Sequence, residues 1–139
     1  YGPAAPHPTG GATIIGARMP VIYYNINLAT SSLEIARQIA RRVRNVDGGL
    51  RYVKAMGILS EETGQTMVSM NLTDFTCSAM HTAFQLVKME AAHYGVLVTG
   101  SEVVGYVPSQ ALINTAAYYL QMNTFEMEQV LEHNFDLEI

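Results

Sequence analysis

The sequence predicts an α+β domain in which helices cover one face of a four-stranded antiparallel β-sheet. The chain of 139 residues is one domain in length and can bury a core without disulfides or metals. After residue 20, runs with period-two apolar alternation are interspersed with runs at helical spacing. Their order is strand, helix, strand, strand, helix, strand and helix, which is the split βαβ or ferredoxin-like order followed by a C-terminal helix. In that order the first and third strands are neighbours at the centre of the sheet.

Four strands are predicted from alternation and from the turn residues that bound each run. They cover Val21 to Leu28, Tyr52 to Leu59, Gln65 to Thr73, and Val96 to about Val103. Residues 60–64, which end in Gly64, have the length and composition of a hairpin connection. The second and third strands should therefore pair antiparallel.

Three helices are predicted from apolar stripes and from end signals. Ser31 and Glu34 have capping-box spacing and open the first helix, which ends at the Asp47-Gly48-Gly49 break. The second helix runs from about Ser78 to Gly95, and Pro108 is suited to open the third. A short amphipathic tail near residues 125–131 follows.

A polar patch is predicted on the sheet face that the helices leave uncovered. Alternation in the first and third strands places five polar side chains there: Tyr23, Asn25, Asn27, Ser69 and Asn71. The patch contains no Lys or Arg among these residues. It is either an ordinary solvated sheet face or a floor of neutral donors and acceptors beneath a polar ligand.

Residues 1–20 form a separate arm, because they hold four of the five prolines and four of the eleven glycines. The run from Gly10 to Arg18 is neither a P-loop nor a dinucleotide fingerprint, since the lysine and the preceding strand are missing. It is either a flexible entry loop or a loop whose backbone N–H groups approach an anionic or planar ligand, with Arg18 as a forked carboxylate partner.

Charge and composition exclude several classes of function. The 8 Lys+Arg are outnumbered by 12 Asp+Glu, and no basic track exists for a nucleic acid backbone. Only 14% of residues are charged, which suggests a neutral face that meets a partner. No apolar run reaches the roughly 18 residues that cross a bilayer, so we expect no membrane association. The single cysteine favours a reducing compartment, and the start at Tyr1 without Met suggests a fragment.

The histidines and the cysteine do not predict a metal or a nucleophile. His81 and His93 are twelve residues apart, and no paired Cys/His spacing is present. Cys77 precedes a helix but has no evident base partner. Asp74 and Glu102 could form an acid/base pair, although a turn and a strand end explain them equally well. We therefore expect no metal and no catalytic residue in this chain.

Several motifs together resemble the C-terminal subdomain of the glutamate formimidoyltransferases. They are GPAAPHPTGGAT at 2–13, GAR at 16–18, NINL at 25–28, VSMNLTD at 68–74 and GSEVVGYVP at 100–108. The resemblance implies an enzyme of histidine breakdown that uses tetrahydrofolate as co-substrate and transfers the formimidoyl group of N-formimidoyl-L-glutamate. It implies two ferredoxin-like subdomains whose sheets face each other across a folate tunnel. The polar patch would then be one wall of that tunnel.

The resemblance also assigns roles to individual segments. It implies that the folate-binding loop consists of Gly2, Pro3, Ala4, Ala5, Pro6, His7, Pro8, Thr9, Gly10 and Gly11, while Arg18 and the polar patch contact substrate. Residues 21–139 would be the subdomain itself. The family's catalytic histidine belongs to the N-terminal subdomain, and none of the histidines here matches its motif. We therefore expect the isolated C-terminal half to be inactive. The resemblance further implies that the intact transferase is cytoplasmic and homodimeric.

The competing class is a binding module. A ferredoxin-like domain could bind folate or an amino acid and catalyse nothing. An RNA-binding domain of this fold would need exposed aromatics flanked by basic residues, and Tyr23 alone does not meet that requirement.

Overall fold

A computed structural model describes residues 4–134 of the chain. Two residues of the expected loop, Gly2 and Pro3, and the last residues of the tail lie outside the described range. The elements are β1 (Ile22–Leu28), α1 (Leu33–Val43), β2 (Val53–Leu59), β3 (Thr66–Leu72), α2 (Met80–His93), β4 (Val98–Val104), α3 (Ser109–Leu120) and α4 (Leu131–Asn134). Short 3-10 turns cover Asn45–Asp47 and Met127–Gln129.

The four strands form one sheet in the order β2-β3-β1-β4, and every neighbouring pair is antiparallel. β1 and β3 are therefore the central strands, as the predicted order requires. Their register pairs Tyr23 with Asn71 and Asn25 with Ser69. The α+β class and the split βαβ arrangement are both confirmed.

The core lies between the sheet and the helices, and alternate side chains of the central strands β1 and β3 are buried in it. Ile22, Ile26, Val68 and Leu72 of the central strands are fully buried or nearly so. Each buried Val, Leu or Ile stabilises the fold by about 1.5–3 kcal/mol relative to an exposed one. The helices therefore cover the sheet face on which the alternation places these apolar side chains. The helix residues that complete this core include Ala36, Ile39, Val43, Ala83, Val87 and Ala91.

Helix α1 begins one residue later than the sequence suggests. Ser32, not Ser31, is the N-cap, and its hydroxyl accepts a 3.5 Å hydrogen bond from the Ile35 N–H. The Thr30 hydroxyl in turn accepts from the Ser32 N–H at 3.1 Å, which holds the entry turn. Glu34 is thereby shifted out of the capping-box position, and its carboxylate accepts from Gln38 Nε2 instead. Two adjacent serines made the cap ambiguous in sequence.

The segment before β1 lies outside the core. Every residue from Ala4 to Pro20 is exposed, and the only backbone pairing there is an isolated antiparallel bridge between His7 and Gly11. The arm is therefore shaped by its own hydrogen bonds and by its prolines. Burial does not determine its conformation.

Candidate functional site

The candidate site is the sheet face turned away from the helices, which we call the open face. Its residues come from all four strands: Tyr23, Asn25 and Asn27; Lys54, Met56 and Ile58; Met67, Ser69 and Asn71; Gly100, Glu102 and Val104. The strand register arranges them in three rows. The five polar residues predicted from alternation all lie on this face. Strand pairing places Tyr23 beside Asn71 and Asn25 beside Ser69, whereas Asn27 lies between Met67 and Gly100.

The central row of the open face runs Met56, Ser69, Asn25, Glu102 across the four strands. Asn25 Nδ2 donates to Glu102 Oε1 at 2.9 Å. This hydrogen bond fixes the Asn25 amide so that its carbonyl oxygen remains available as an acceptor. The row therefore offers an oriented amide beside an exposed carboxylate.

A second row places Lys54 beside Asn71, and Asn71 beside Tyr23. Sequence reasoning missed Lys54, because alternation within single strands does not tell which residues of the flanking strand adjoin the patch. The open face is consequently not neutral. A cation lies on β2 at one edge and a carboxylate lies on β4 at the other, and these two strands are three strand spacings, or roughly 14 Å, apart.

A small concavity of about 150 Å³ lies on the open face and is lined by Lys54, Met56, Ser69 and Asn71 among others. An ammonium, a hydroxyl and an amide around one depression are the groups that bind a carboxylate. The concavity occupies only part of the open face.

The loop from residue 7 to residue 11 is closed by two backbone hydrogen bonds. The His7 N–H donates to the Gly11 carbonyl at 3.0 Å, and the Gly11 N–H donates to the His7 carbonyl at 2.9 Å. Gly11 has φ +66, a conformation in which a Cβ would be strained. Within the described part of the expected folate-binding loop, residues 4–8 and Gly11 border an open concavity of about 740 Å³ together with residues 12 and 13.

Arg18 lies in the exposed connection between this loop and β1. Within residues 4–134 the salt bridge found joins Arg44 and Asp47, so no carboxylate there neutralises the Arg18 guanidinium. This guanidinium is available for an anionic group brought by a ligand or a partner.

Asp74 and Glu102 do not form a pair. The Asp74 carboxylate accepts from the Thr76 N–H at 3.0 Å and from the Thr76 hydroxyl at 2.6 Å. These hydrogen bonds, led by that of the Thr76 hydroxyl, lower the pKa of Asp74 below its usual value. Asp74 is thus a turn residue, whereas Glu102 belongs to the open face through Asn25.

His81 lies on the opposite side of the sheet, in the first turn of α2. Its ring stacks on Tyr118 with centroids 4.2 Å apart and an interplanar angle of 11°. Burial lowers the pKa of His81, and within residues 4–134 its buried Nδ1 has no hydrogen-bond partner. It lines a cleft of about 210 Å³ together with Tyr24, whose hydroxyl donates to Ser101 Oγ at 3.0 Å.

Metal-binding and membrane features were sought in the same residues. Between Ala4 and Asn134 no three His, Cys, Asp or Glu side chains lie close enough to share a metal ion. Cys77 is exposed and not disulfide-bonded. None of the described helices has both the length and the apolar character needed to span a bilayer.

The family of the chain follows from comparison with known proteins. Residues 23–135 match the model of the formiminotransferase domain, and this range contains the whole sheet except Ile22, together with α1, α2 and α3. The chain therefore belongs to the formiminotransferase domain family.

Individual relatives agree with this assignment. The chain is 44% identical over 135 residues to glutamate formimidoyltransferase of Streptococcus pyogenes serotype M1, covering 96% of this chain and 45% of that protein. It is 47% identical over 126 residues to the Thermoplasma acidophilum protein of the same name, covering 91% of this chain and 42% of that protein. To formimidoyltransferase-cyclodeaminase of Mus musculus it is 38% identical over 146 residues, covering 100% of this chain and 26% of that protein. The chain thus spans less than half the length of these relatives.

Proposed function

We propose that this chain is the folate-binding C-terminal half of a glutamate formimidoyltransferase. The whole enzyme transfers the formimidoyl group between N-formimidoyl-L-glutamate and tetrahydrofolate in histidine degradation, a step of one-carbon metabolism. The observation that carries the proposal is the open face itself. This face carries an oriented amide, a carboxylate and a lysine. The relatives of the chain are named glutamate formimidoyltransferase.

The chemistry of the two substrates fits the groups on the open face. Both carry glutamate carboxylates, which an ammonium such as that of Lys54 and amides such as that of Asn71 bind by charge and hydrogen bonding. The formimidoyl group is an amidine, and a carboxylate such as that of Glu102 is complementary to its N–H donors. Tyr23, Asn25, Asn27 and Ser69 supply further neutral contacts, and Arg18 supplies a forked cation.

Folate binding is assigned to the arm. In this proposal residues 2–11 form the loop that contacts tetrahydrofolate, residues 1–20 form the arm as a whole, and residues 21–139 form the subdomain. Its small residues let the loop approach a planar ring closely. The exposure of residues 4–20 and the bridge between His7 and Gly11 support an arm that is shaped before the ligand arrives.

The open face requires a cover, because a ligand held on a flat sheet remains largely hydrated. We assign that cover to an N-terminal transferase subdomain that brings the general acid/base, since proton transfer must accompany formation and collapse of the tetrahedral adduct. The assembled enzyme is further proposed to be a cytoplasmic homodimer. The exposed, unpaired Cys77 is compatible with a reducing compartment.

The test is a calorimetric titration of tetrahydrofolate into the 139-residue chain, alone and mixed with the N-terminal half of the Streptococcus pyogenes relative. We expect binding in both samples, tighter in the mixture because the ligand is enclosed. The variant Lys54→Ala should weaken binding, whereas Lys88→Ala on the exposed side of α2 should not. Absence of folate binding in both samples would contradict the proposal. Folate binding without formimidoyl transfer, either by the chain alone or by the mixture, would favour a binding module instead.

A further inference from the structure

The His7 side chain folds back onto its own loop. The His7 Nδ1 atom lies 3.1 Å from the Gly10 backbone nitrogen and 3.4 Å from the Thr9 backbone nitrogen, and both N–H groups donate to it. The Thr9 hydroxyl oxygen lies 3.3 Å from the same atom. One ring nitrogen is thus the common acceptor inside the turn that the bridge between His7 and Gly11 closes.

These contacts determine the protonation of the ring. A backbone N–H can only donate, so the nitrogen that receives two of them must carry a lone pair and no proton. The neutral ring therefore carries its proton on Nε2. This arrangement is the imidazole counterpart of the turn in which an Asn or Asp side chain accepts from the backbone two residues further along.

We propose that His7 is a positioning residue, which shapes the folate-binding loop through Nδ1. This inference rests on the proposed function, in which the loop binds tetrahydrofolate, and it adds how the loop keeps its shape. No residue of the arm between Ala4 and Pro20 is buried, so packing cannot hold the turn. The imidazole supplies a local acceptor in place of a core and reduces the ordering that the ligand would otherwise impose.

The neighbouring glycine Gly11 fits this role. It completes the bridge with φ +66, a conformation that residues other than glycine rarely adopt. Gly10 packs against the imidazole, since a Cβ built there would be in van der Waals contact with Nδ1 at 3.4 Å. Gly11 thus allows the backbone to return to His7.

Loop closure is first tested without any ligand, by ¹⁵N NMR of the 139-residue chain. We expect the neutral imidazole of His7 to show an unprotonated Nδ1 and a protonated Nε2. The amide proton of Gly10 should be protected from exchange with solvent. In His7→Ala its chemical shift should move towards the value of an exposed amide that makes no hydrogen bond. Protonation of Nδ1 instead, or an unchanged Gly10 amide in the variant, would overturn the proposal.

Its effect on binding is tested with three variants that separate the two ring nitrogens. In His7→Asn the side-chain oxygen is as many bonds from the backbone as Nδ1, while in His7→Gln the terminal amide reaches the position of Nε2. Affinity for tetrahydrofolate should fall about tenfold in His7→Ala and His7→Gln. A tenfold loss corresponds to about 1.4 kcal/mol, which is the net contribution of one or two hydrogen bonds. It should be restored to within about threefold by His7→Asn. His93→Ala, on the exposed C-terminal turn of α2, serves as the control.

Other outcomes overturn the proposal. Restoration by Gln and not by Asn would show that Nε2 contacts the ligand directly, and equal loss in all three variants would show that the ring itself is required. In a transferase assembled with the Streptococcus pyogenes N-terminal half, His7→Ala should raise KM for tetrahydrofolate with little change in kcat. If the unsubstituted chain binds no folate, the proposed function fails, whereas the NMR result on loop closure is independent of it.

Discussion

Asn25 on β1 donates a hydrogen bond of 2.9 Å to Glu102 on β4, in the middle of the sheet face that the helices leave open. The two residues are 77 positions apart in sequence, so the contact depends on the sheet register. It holds an amide oxygen and a carboxylate side by side at an exposed surface. Such an exposed pair adds little to folding stability.

The first prediction concerns the two asparagines of the open face. Asn25→Ala or Asn71→Ala, introduced into the assembled transferase, should weaken binding of folate or of formimidoylglutamate about 5- to 20-fold, the loss of one or two hydrogen bonds. Thermal unfolding should change little because neither side chain belongs to the core. Steady-state kinetics together with calorimetry measure both effects. Unchanged kinetics in both variants would mean that the open face is only a solvated surface.

A second prediction uses the two lysines of the chain. Lys54 lies on the open face beside Asn71, whereas Lys88 lies on the exposed side of α2. Lys54→Glu should raise KM for formimidoylglutamate or tetrahydrofolate at least tenfold, since it replaces attraction to the glutamate carboxylates of these substrates by repulsion. The increase in KM should be smaller at high salt. Lys88→Glu makes the same charge change on the other face and should leave KM unaltered. Similar effects of the two variants would indicate only a change in overall charge.

The third prediction concerns the isolated chain. The 139 residues alone should show no formimidoyl transfer, because in the proposed enzyme the acid/base histidine belongs to the other half. Adding the N-terminal half of the Streptococcus pyogenes relative should restore turnover. A sensitive absorbance assay for the folate product decides the matter, and measurable turnover by the isolated chain would show that one of its own residues is catalytic.

The sequence predicted the strands and their faces because a period of two is imposed by the pleat itself. Tyr23, Asn25 and Asn27 had to share one face once Ile22 and Ile26 were buried. It did not reveal Lys54 or the partner of Glu102, since which side chains become neighbours depends on pairing between distant strands. The hydrogen bonds of His7 Nδ1 were also hidden. They depend on how the loop folds, and a proline-rich arm carries no periodic signal.

The fourth prediction concerns the contact between α1 and β2. A Cβ built on Gly57 would lie 2.5 Å from the Arg37 backbone nitrogen and 2.6 Å from the Ala36 carbonyl carbon. A backbone atom of α1 cannot move without the rest of the helix. Gly57→Ala must therefore displace α1 and should destabilise the fold by about 2–3 kcal/mol. The matched control is Gly100→Ala on β4, where the nearest atom is Asn27 Nδ2 at 4.0 Å.

Urea unfolding followed by circular dichroism measures both glycine variants. Gly100→Ala should change the free energy of unfolding by no more than about 0.5 kcal/mol. A Gly57→Ala protein as stable as the unsubstituted one would mean that α1 can move away from β2 at little cost. The close approach would then not be a determinant of the fold.

The last prediction concerns pH and His81. Burial lowers the pKa of His81, so the folded state binds a proton less readily than the unfolded state, whose histidine titrates near its ordinary value of about 6.5. Stability should therefore fall as pH decreases from about 6.5 and should level off below the folded-state pKa. His81→Phe keeps an aromatic ring against Tyr118 but cannot titrate, so this part of the pH dependence should disappear. The measurement is the difference in unfolding free energy between the two proteins from pH 7.5 to pH 4.5, with the NMR titration of His81 alongside. A midpoint at or above 6.5, or a difference that does not vary with pH, would show that burial does not disfavour the charged ring.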